Sequence, residues 1–136
     1  MLAPIVGRDK PCPYEITPHF LIGIMSITHI IQAGEWVQTF ILEFDRADFK
    51  KDVKTHSAVI RQIEVMGEAT KRISDSFKAN HPEIAWRKVA GMRDILIHGY
   101  DRVNLDEVWN VTQTSLPHLL EQLKLLVSAD PHWKQD

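Results

Sequence analysis

The sequence predicts an all-α protein, an antiparallel four-helix bundle with up to five helices if one short turn is included. Apolar residues recur at intervals of three, four and seven, which is the period of a helix with one buried face. Strand-length runs of alternating apolar and polar residues are absent, and the connections between periodic segments are short. With 136 residues and 44% hydrophobic content, the chain is long enough for one domain with a core and too short for two.

Residues 1–16 form an arm that precedes the first predicted helix. Three prolines disfavour helix there, so we expect the arm to be extended or disordered. Thr17 followed by Pro18 is typical of a helix N-cap with proline at the first helical position. A long helix should therefore begin here and continue to about Glu43.

This first helix is long and apolar enough to be tested as a membrane span. Residues 20–42 carry a single formal charge and are about as long as a bilayer is thick. Four polar residues nevertheless follow one another at helical spacing: Thr28, Gln32, Glu35 and Thr39. A continuous polar stripe indicates an amphipathic helix of a soluble protein, because a lipid-facing helix lacks one.

The middle of the chain is predicted to hold a second and a third long helix. Asp45-Arg46-Ala47-Asp48 can cap a single turn, and the second long helix should run from about Asp52 to Lys78. Its inward-facing residues are Val59, Ile63, Met66, Ile73 and Phe77. The segment Asn80-His81-Pro82-Glu83 interrupts the pattern, so the third helix should run from about Pro82 to Tyr100.

The last predicted helix begins at Asn104, which forms a capping box with Glu107. We expect Pro117 to kink it, because proline cannot donate a backbone hydrogen bond. The residues expected to face inward are Val108, Val111, Leu119, Leu120, Leu123 and Leu126. The helical domain should thus span residues 17–129, with a C-terminal tail at 130–136.

Composition narrows the function classes. A net charge of -2 excludes a protein that coats nucleic acid by bulk electrostatics, so any such contact must be local. Cys12 is the only cysteine, which excludes an intrachain disulfide and fits a reducing, cytoplasmic setting. The seven histidines show neither an H-x-x-x-H pair nor an H-E-x-x-H helix, so we expect no bound metal and no cofactor. The N-terminus lacks the pattern of a secretory signal.

The segment from Gly91 to Tyr100 carries the strongest functional signal. On a helical wheel, Arg93 and Tyr100 fall inside an apolar arc, where a guanidinium is costly unless it is paired or faces a wet cleft. His98 lies one turn after Asp94, whose carboxylate can orient the imidazole. The alternative is structural: Arg93 and His98 cap the C-terminal carbonyls of the helix, and Tyr100 is a core residue.

A strip of small side chains lies on another face of the same helix. Gly91, Ile95 and Gly99 are spaced by four, and such a strip lets a second helix approach closely. Because it lies away from the stripe that faces the bundle, we predict a homodimer with the third helix near the two-fold axis.

Two carboxylates one turn apart stand on the second long helix. Glu64 and Glu68 share a face and could act as an acid/base pair or hold a metal. The i,i+4 order of Glu68 and Arg72 favours a surface salt bridge instead. We therefore assign Glu64 and Glu68 at most a supporting position behind the catalytic residues. Gly67 between them costs about 1 kcal/mol in mid-helix, which indicates close helix packing there.

Several short motifs follow one another in a specific order: Ile63 to Ala69, His81 to Arg87, Gly91-Met92-Arg93, His98-Gly99-Tyr100, and Val108-Trp109 with Leu116-Pro117. In this order and spacing, over about residues 18–127, the chain resembles the HepT branch of the HEPN superfamily. The resemblance implies a HEPN-like bundle that dimerises and acts as a ribonuclease toxin of a type VII (HEPN/MNT) toxin-antitoxin pair.

The resemblance also implies the site and its regulation. The family motif R-x-x-x-x-H-x-Y corresponds here to Arg93, His98 and Tyr100. An MntA-like minimal nucleotidyltransferase antitoxin is expected to silence the toxin by transferring AMP from ATP to Tyr100. This sequence has Asp94 where relatives often have Asn, which either weakens RNA binding or raises the pKa of His98. The N-terminal arm is also longer than the usual start of the family.

The residue types suit metal-free RNA cleavage, in which the 2′-hydroxyl attacks the neighbouring phosphate. Histidine, whose ordinary pKa is about 6.5, can transfer the proton, and arginine can bind phosphate oxygens through its fork. We therefore expect Arg93 and His98 to be catalytic, with Asp94 and Tyr100 in support. The competing hypothesis is a non-catalytic HEPN-type binding module, or an antitoxin or scaffold for a nucleotidyltransferase.

Overall fold

The computed structural model describes residues 18–97 and 103–129. The predicted arm at residues 1–16, its neighbour Thr17 and the predicted tail at 130–136 lie outside this range. So do His98, Gly99 and Tyr100.

The described chain is all-α, as predicted, and contains no strand. The helices are α1 Pro18–Phe40, α2 Arg46–Lys51, α3 Val53–Lys71, α4 Asp75–Asn80, α5 Trp86–Ile97, α6 Leu105–Asn110 and α7 Leu116–Ala129. A π-helical turn, Val111–Ser115, joins α6 to α7. Helix α3 contacts both α1 and α5, α7 packs against α1 and lies beside α5, and α2 contacts α3 and α6. This arrangement is consistent with a HEPN-like bundle.

The short helix α2 confirms the predicted single turn. The Asp45 carboxylate accepts a hydrogen bond from the Asp48 N–H at 2.8 Å, so the N-cap forms where the sequence places it. Asp52 then ends α2 and caps α3 by accepting from the Thr55 N–H at 3.2 Å. One aspartate thus separates two helices that pack on each other.

The second predicted helix, from Asp52 to Lys78, is wrong as a single element. Helix α3 ends at Lys71, and α4 begins after Ser74, whose hydroxyl accepts from the Phe77 N–H at 3.2 Å. The apolar period continues across the break, because Ile73 and Phe77 are both buried. Periodicity alone therefore could not reveal the break, whereas the serine N-cap does.

The third predicted helix begins later than expected, at Trp86 and not at Pro82. The Trp86 indole N–H donates to the carbonyl oxygens of Lys78 and His81, at 3.2 and 3.0 Å. Each of these carbonyls also accepts a backbone hydrogen bond, from the His81 N–H and the Ile84 N–H respectively, so the indole adds a second bond that ties the start of α5 to the end of α4. Ile84 is buried, so the intervening loop is anchored to the core and does not extend α5.

The last predicted helix begins as expected and is irregular near Pro117. The Asn104 side chain accepts from the N–H groups of Asp106 and Glu107, at 3.1 and 3.2 Å. Pro117 has no N–H to donate four residues back, and the π-helical turn precedes it, with the Leu116 N–H bonded to the Val111 carbonyl.

The core lies where the helical period places it. All five inward residues predicted for the second helix are buried, and so are those of the last helix except Val111, which is half-buried. The stripe of Thr28, Gln32, Glu35 and Thr39 is exposed. Within the described residues, no helix has both the length and the apolar character that crossing a bilayer requires.

Candidate active site

Arg93 lies on α5 and reaches across to α3. Its guanidinium forms a salt bridge with the Glu68 carboxylate through Nη1 and Oε1. The Arg93 side chain is 31% exposed and that of Glu68 is 48% exposed. The charge predicted inside an apolar arc is therefore both paired and open to water. Each of these two conditions lowers the free-energy cost of placing a guanidinium there.

Gly67 provides the surface on which the Arg93 side chain lies. A Cβ atom built on Gly67 would stand 3.0 Å from the Arg93 Cβ, and the Ala90 carbonyl oxygen would be 3.8 Å away. Gly67 is buried between α3 and α5. The close packing expected from a mid-helix glycine is thus present, and it brings the backbone of α3 directly against the stem of Arg93.

The two predicted carboxylates have different partners. Glu64 pairs with Arg61 at 3.5 Å, one turn away on the surface of α3. Glu68 pairs with Arg93 and not with Arg72, the neighbour that its sequence spacing favours. The structure therefore brings Glu68, and not Glu64, to the motif arginine.

Asp94 is exposed and forms no salt bridge among the described residues. His98 and Tyr100, the other members of the predicted site, lie outside the described residues. The described part of the site accordingly consists of Arg93, its partner Glu68 and the exposed Asp94.

Gly91 stands on a different face of α5. A Cβ atom there would meet no described atom within 4 Å, so this point of the helix is open as far as the described residues are concerned. The predicted small-residue strip begins here. Its other members, the Ile95 side chain and Gly99, lie outside the described range.

The described His, Asp and Glu side chains form no group of three that could hold a metal ion. The chemistry that the described residues support is recognition of an anion by a fixed guanidinium.

Comparison with known proteins decides the family. A family model described as "Ribonuclease HepT-like" matches residues 30–126, which include α3, α5 and Arg93. The chain belongs to the HepT-like ribonuclease family. This membership agrees with the resemblance found in the sequence, and it makes the protein a ribonuclease at the level of the family.

Individual relatives of this HepT-like chain carry the same description. A protein of Thermococcus cleftensis named "Probable ribonuclease HepT" is 44% identical over 90 residues, 66% of this chain and 82% of that protein. A protein of Caldanaerobacter subterraneus subsp. tengcongensis, whose name designates an RNase, is 33% identical over 104 residues, 76% of this chain and 93% of the relative. No solved structure matches the chain.

The pairing of Glu68 with Arg93 is the element of this HepT-like site that sequence reasoning missed. The residues are 25 positions apart, and Glu68 has a plausible partner one turn away in Arg72. The available signal was Gly67, because a glycine in mid-helix marks the point where another helix comes closest.

Proposed function

We propose that this HepT-like ribonuclease is a metal-independent endoribonuclease toxin of a type VII (HEPN/MNT) toxin-antitoxin pair, acting in the cytoplasm. The observation that carries the proposal is the Arg93 guanidinium, which is fixed by Glu68 and yet partly exposed on the helix that leads into His98 and Tyr100. A scaffold protein would not require a charged side chain at this apolar position.

The proposed reaction is an intramolecular transfer of a phosphate within the RNA strand. The 2′-hydroxyl gives its proton to a base and attacks the adjacent phosphorus, and the bond to the 5′-oxygen of the next nucleotide breaks. The products are a 2′,3′-cyclic phosphate and a free 5′-hydroxyl, which takes up a proton. His98 moves the protons, and Arg93 stabilises the charge that develops on the phosphate oxygens.

A homodimer completes this site. One histidine supplies either the base or the acid, so two copies meeting at a shared cleft provide both. The space at Gly91, where an added Cβ would meet no described atom within 4 Å, supports a contact through α5. Light scattering at micromolar concentration should give a dimer, and a monomer would overturn this part of the proposal.

Regulation by AMP at Tyr100 is what the family resemblance implies, and the spacing of Tyr100 fits it. Seven residues are about two helical turns, so a helix continued to Tyr100 would carry it on the same face as Arg93. AMP transferred from ATP to its hydroxyl by an MntA-like nucleotidyltransferase brings a phosphate into range of Arg93. The adduct would compete with RNA for the guanidinium and fill the cleft.

The test is cleavage of total tRNA and mRNA by the purified protein in EDTA, before and after treatment with an MntA-like nucleotidyltransferase and ATP. Wild type should cut before treatment and lose activity afterwards, whereas His98→Ala should fold and cut nothing. Tyr100→Phe should resist silencing. If His98→Ala cuts RNA like wild type, the mechanism is wrong. If wild type binds the transferase and cuts nothing, the protein is a binding module.

A further inference from the structure

A groove follows the outer face of α3 beside α1 and reaches the pair formed by Glu68 and Arg93. Two adjoining cavities of about 380 and 170 Å³ make up the groove, and both are lined by His29 and Arg72. Arg61 and Glu68 line the smaller cavity, so the groove passes the carboxylate that holds Arg93.

The groove presents positive charge. Among the described residues, Arg72 forms no salt bridge, and the bridge from Arg61 to Glu64 is long, at 3.5 Å, with the arginine side chain 71% exposed. Glu68 is the carboxylate of the lining, and its charge is neutralised by Arg93. The guanidinium of Arg72 and most of that of Arg61 therefore remain available to an anion from outside.

The other half of the groove is apolar. Ile22 and Met25, on α1, are 45% and 52% exposed and line the larger cavity together with the exposed His29. A cationic edge beside an imidazole and an apolar surface suits single-stranded nucleic acid, because phosphates can contact the cations while a base stacks on the ring of His29.

The spacing of the two arginines fits a polynucleotide. They are eleven residues apart, which at 1.5 Å per residue is about 16 Å along the helix axis. A single strand a few nucleotides long can span this distance. The groove is therefore long enough to hold a short stretch of RNA that passes Glu68, the partner of Arg93.

We propose that this groove binds single-stranded RNA next to the phosphate that is cut, with Arg61 and Arg72 contacting phosphates and His29 contacting a base. The proposal rests on the proposed function, because it takes Arg93 to mark the reacting phosphate. A second copy of the chain fits the groove less well, since covering it would desolvate Arg72 without supplying a described carboxylate partner.

The test compares the double variant Arg61→Gln/Arg72→Gln with the matched control Arg87→Gln, an exposed arginine on α5 that does not line the groove. Affinity is measured with a fluorescent 2′-O-methyl RNA decamer, which lacks the attacking hydroxyl. The double variant should bind at least about tenfold more weakly. The slope of the logarithm of its binding constant against the logarithm of the salt concentration should become shallower by about 1.4, which is about 0.7 for each lost phosphate contact. On cleavable RNA, KM should rise with kcat unchanged.

The proposal that the groove binds RNA is wrong if the double variant binds the decamer like wild type, or if Arg87→Gln loses as much affinity as the double variant. It is also wrong if light scattering shows weaker dimerisation of the double variant, because the face would then contact a second copy. Circular dichroism of both variants checks folding. If wild type binds the decamer through these arginines and cleaves no RNA, the nuclease proposal fails while the groove remains an RNA site. If wild type cleaves RNA and the double variant matches it in binding and KM, the groove proposal is wrong while the nuclease proposal stands.

Discussion

Replacing Gly67 with alanine tests whether the contact between α3 and α5 positions the motif arginine. The added Cβ would stand 3.0 Å from the Arg93 Cβ, whereas carbon atoms at rest lie about 3.5–4.0 Å apart. The Arg93 Cβ is attached to the backbone and cannot rotate away. Relief therefore requires α5 to move by about 0.5–1 Å relative to α3, and Arg93 moves with it.

Two opposing effects set the change in stability. Alanine in mid-helix is favoured over glycine by about 1 kcal/mol. Overpacking of a buried contact costs about 1–3 kcal/mol. The free energy of unfolding should therefore fall by about 1 kcal/mol, and a displacement of the phosphate-binding group near 1 Å should reduce kcat/KM by about 10- to 100-fold.

Gly91→Ala is the matched control for the stability of the protomer, because it makes the same change on α5 where a Cβ meets no described atom within 4 Å. Urea denaturation should show it as stable as wild type or up to about 1 kcal/mol more stable. Both variants are measured at two protein concentrations, so that an effect on dimerisation is seen as concentration dependence. If Gly67→Ala is as stable as Gly91→Ala and cleaves RNA at the wild-type rate, the contact does not position Arg93.

Three further predictions concern neighbouring features. Glu68→Gln should change the free energy of unfolding by less than about 1 kcal/mol, since the pair is partly exposed, yet lower kcat by releasing Arg93; unchanged kinetics would remove Glu68 from the site. Gly91→Glu should leave the helical circular dichroism spectrum intact and weaken the dimer in analytical ultracentrifugation; an unchanged dimer would place the interface elsewhere. Ser74→Ala should cost about 1 kcal/mol in urea denaturation through the lost cap of α4, whereas Ser57→Ala, exposed within α3, should not.

The sequence predicts those elements whose signals are local. Asp45 and Asn104 cap helices at the predicted positions, because an N-cap depends only on a side chain and the backbone two or three residues ahead. The start of α5 depends instead on the Trp86 indole, which bonds carbonyls five and eight residues away. Whether such a bond forms depends on how the loop packs, which the sequence pattern does not show. The predicted helix therefore begins too early, at Pro82, whereas α5 begins at Trp86.

The candidate site shows the same division. The helical wheel places Arg93 in an apolar arc, and elementary electrostatics requires a partner or a wet cleft there. It does not identify the partner, because the register between α3 and α5 is set by how the two helices pack at Gly67. Glu68 becomes the partner only once that register is fixed, and the nearer Arg72 is left free for another role.

The geometry of the bridge also explains how Arg93 can be paired and still bind phosphate. A guanidinium has five N–H donors, and the contact with Glu68 is made through Nη1. The Nε and Nη2 groups remain, and together they form an edge that can hold two oxygens of one phosphate. Glu68 thus fixes one edge of the fork and leaves another for RNA. Among the described carboxylates, Glu68, 25 residues earlier in the chain, is therefore the one that positions the arginine.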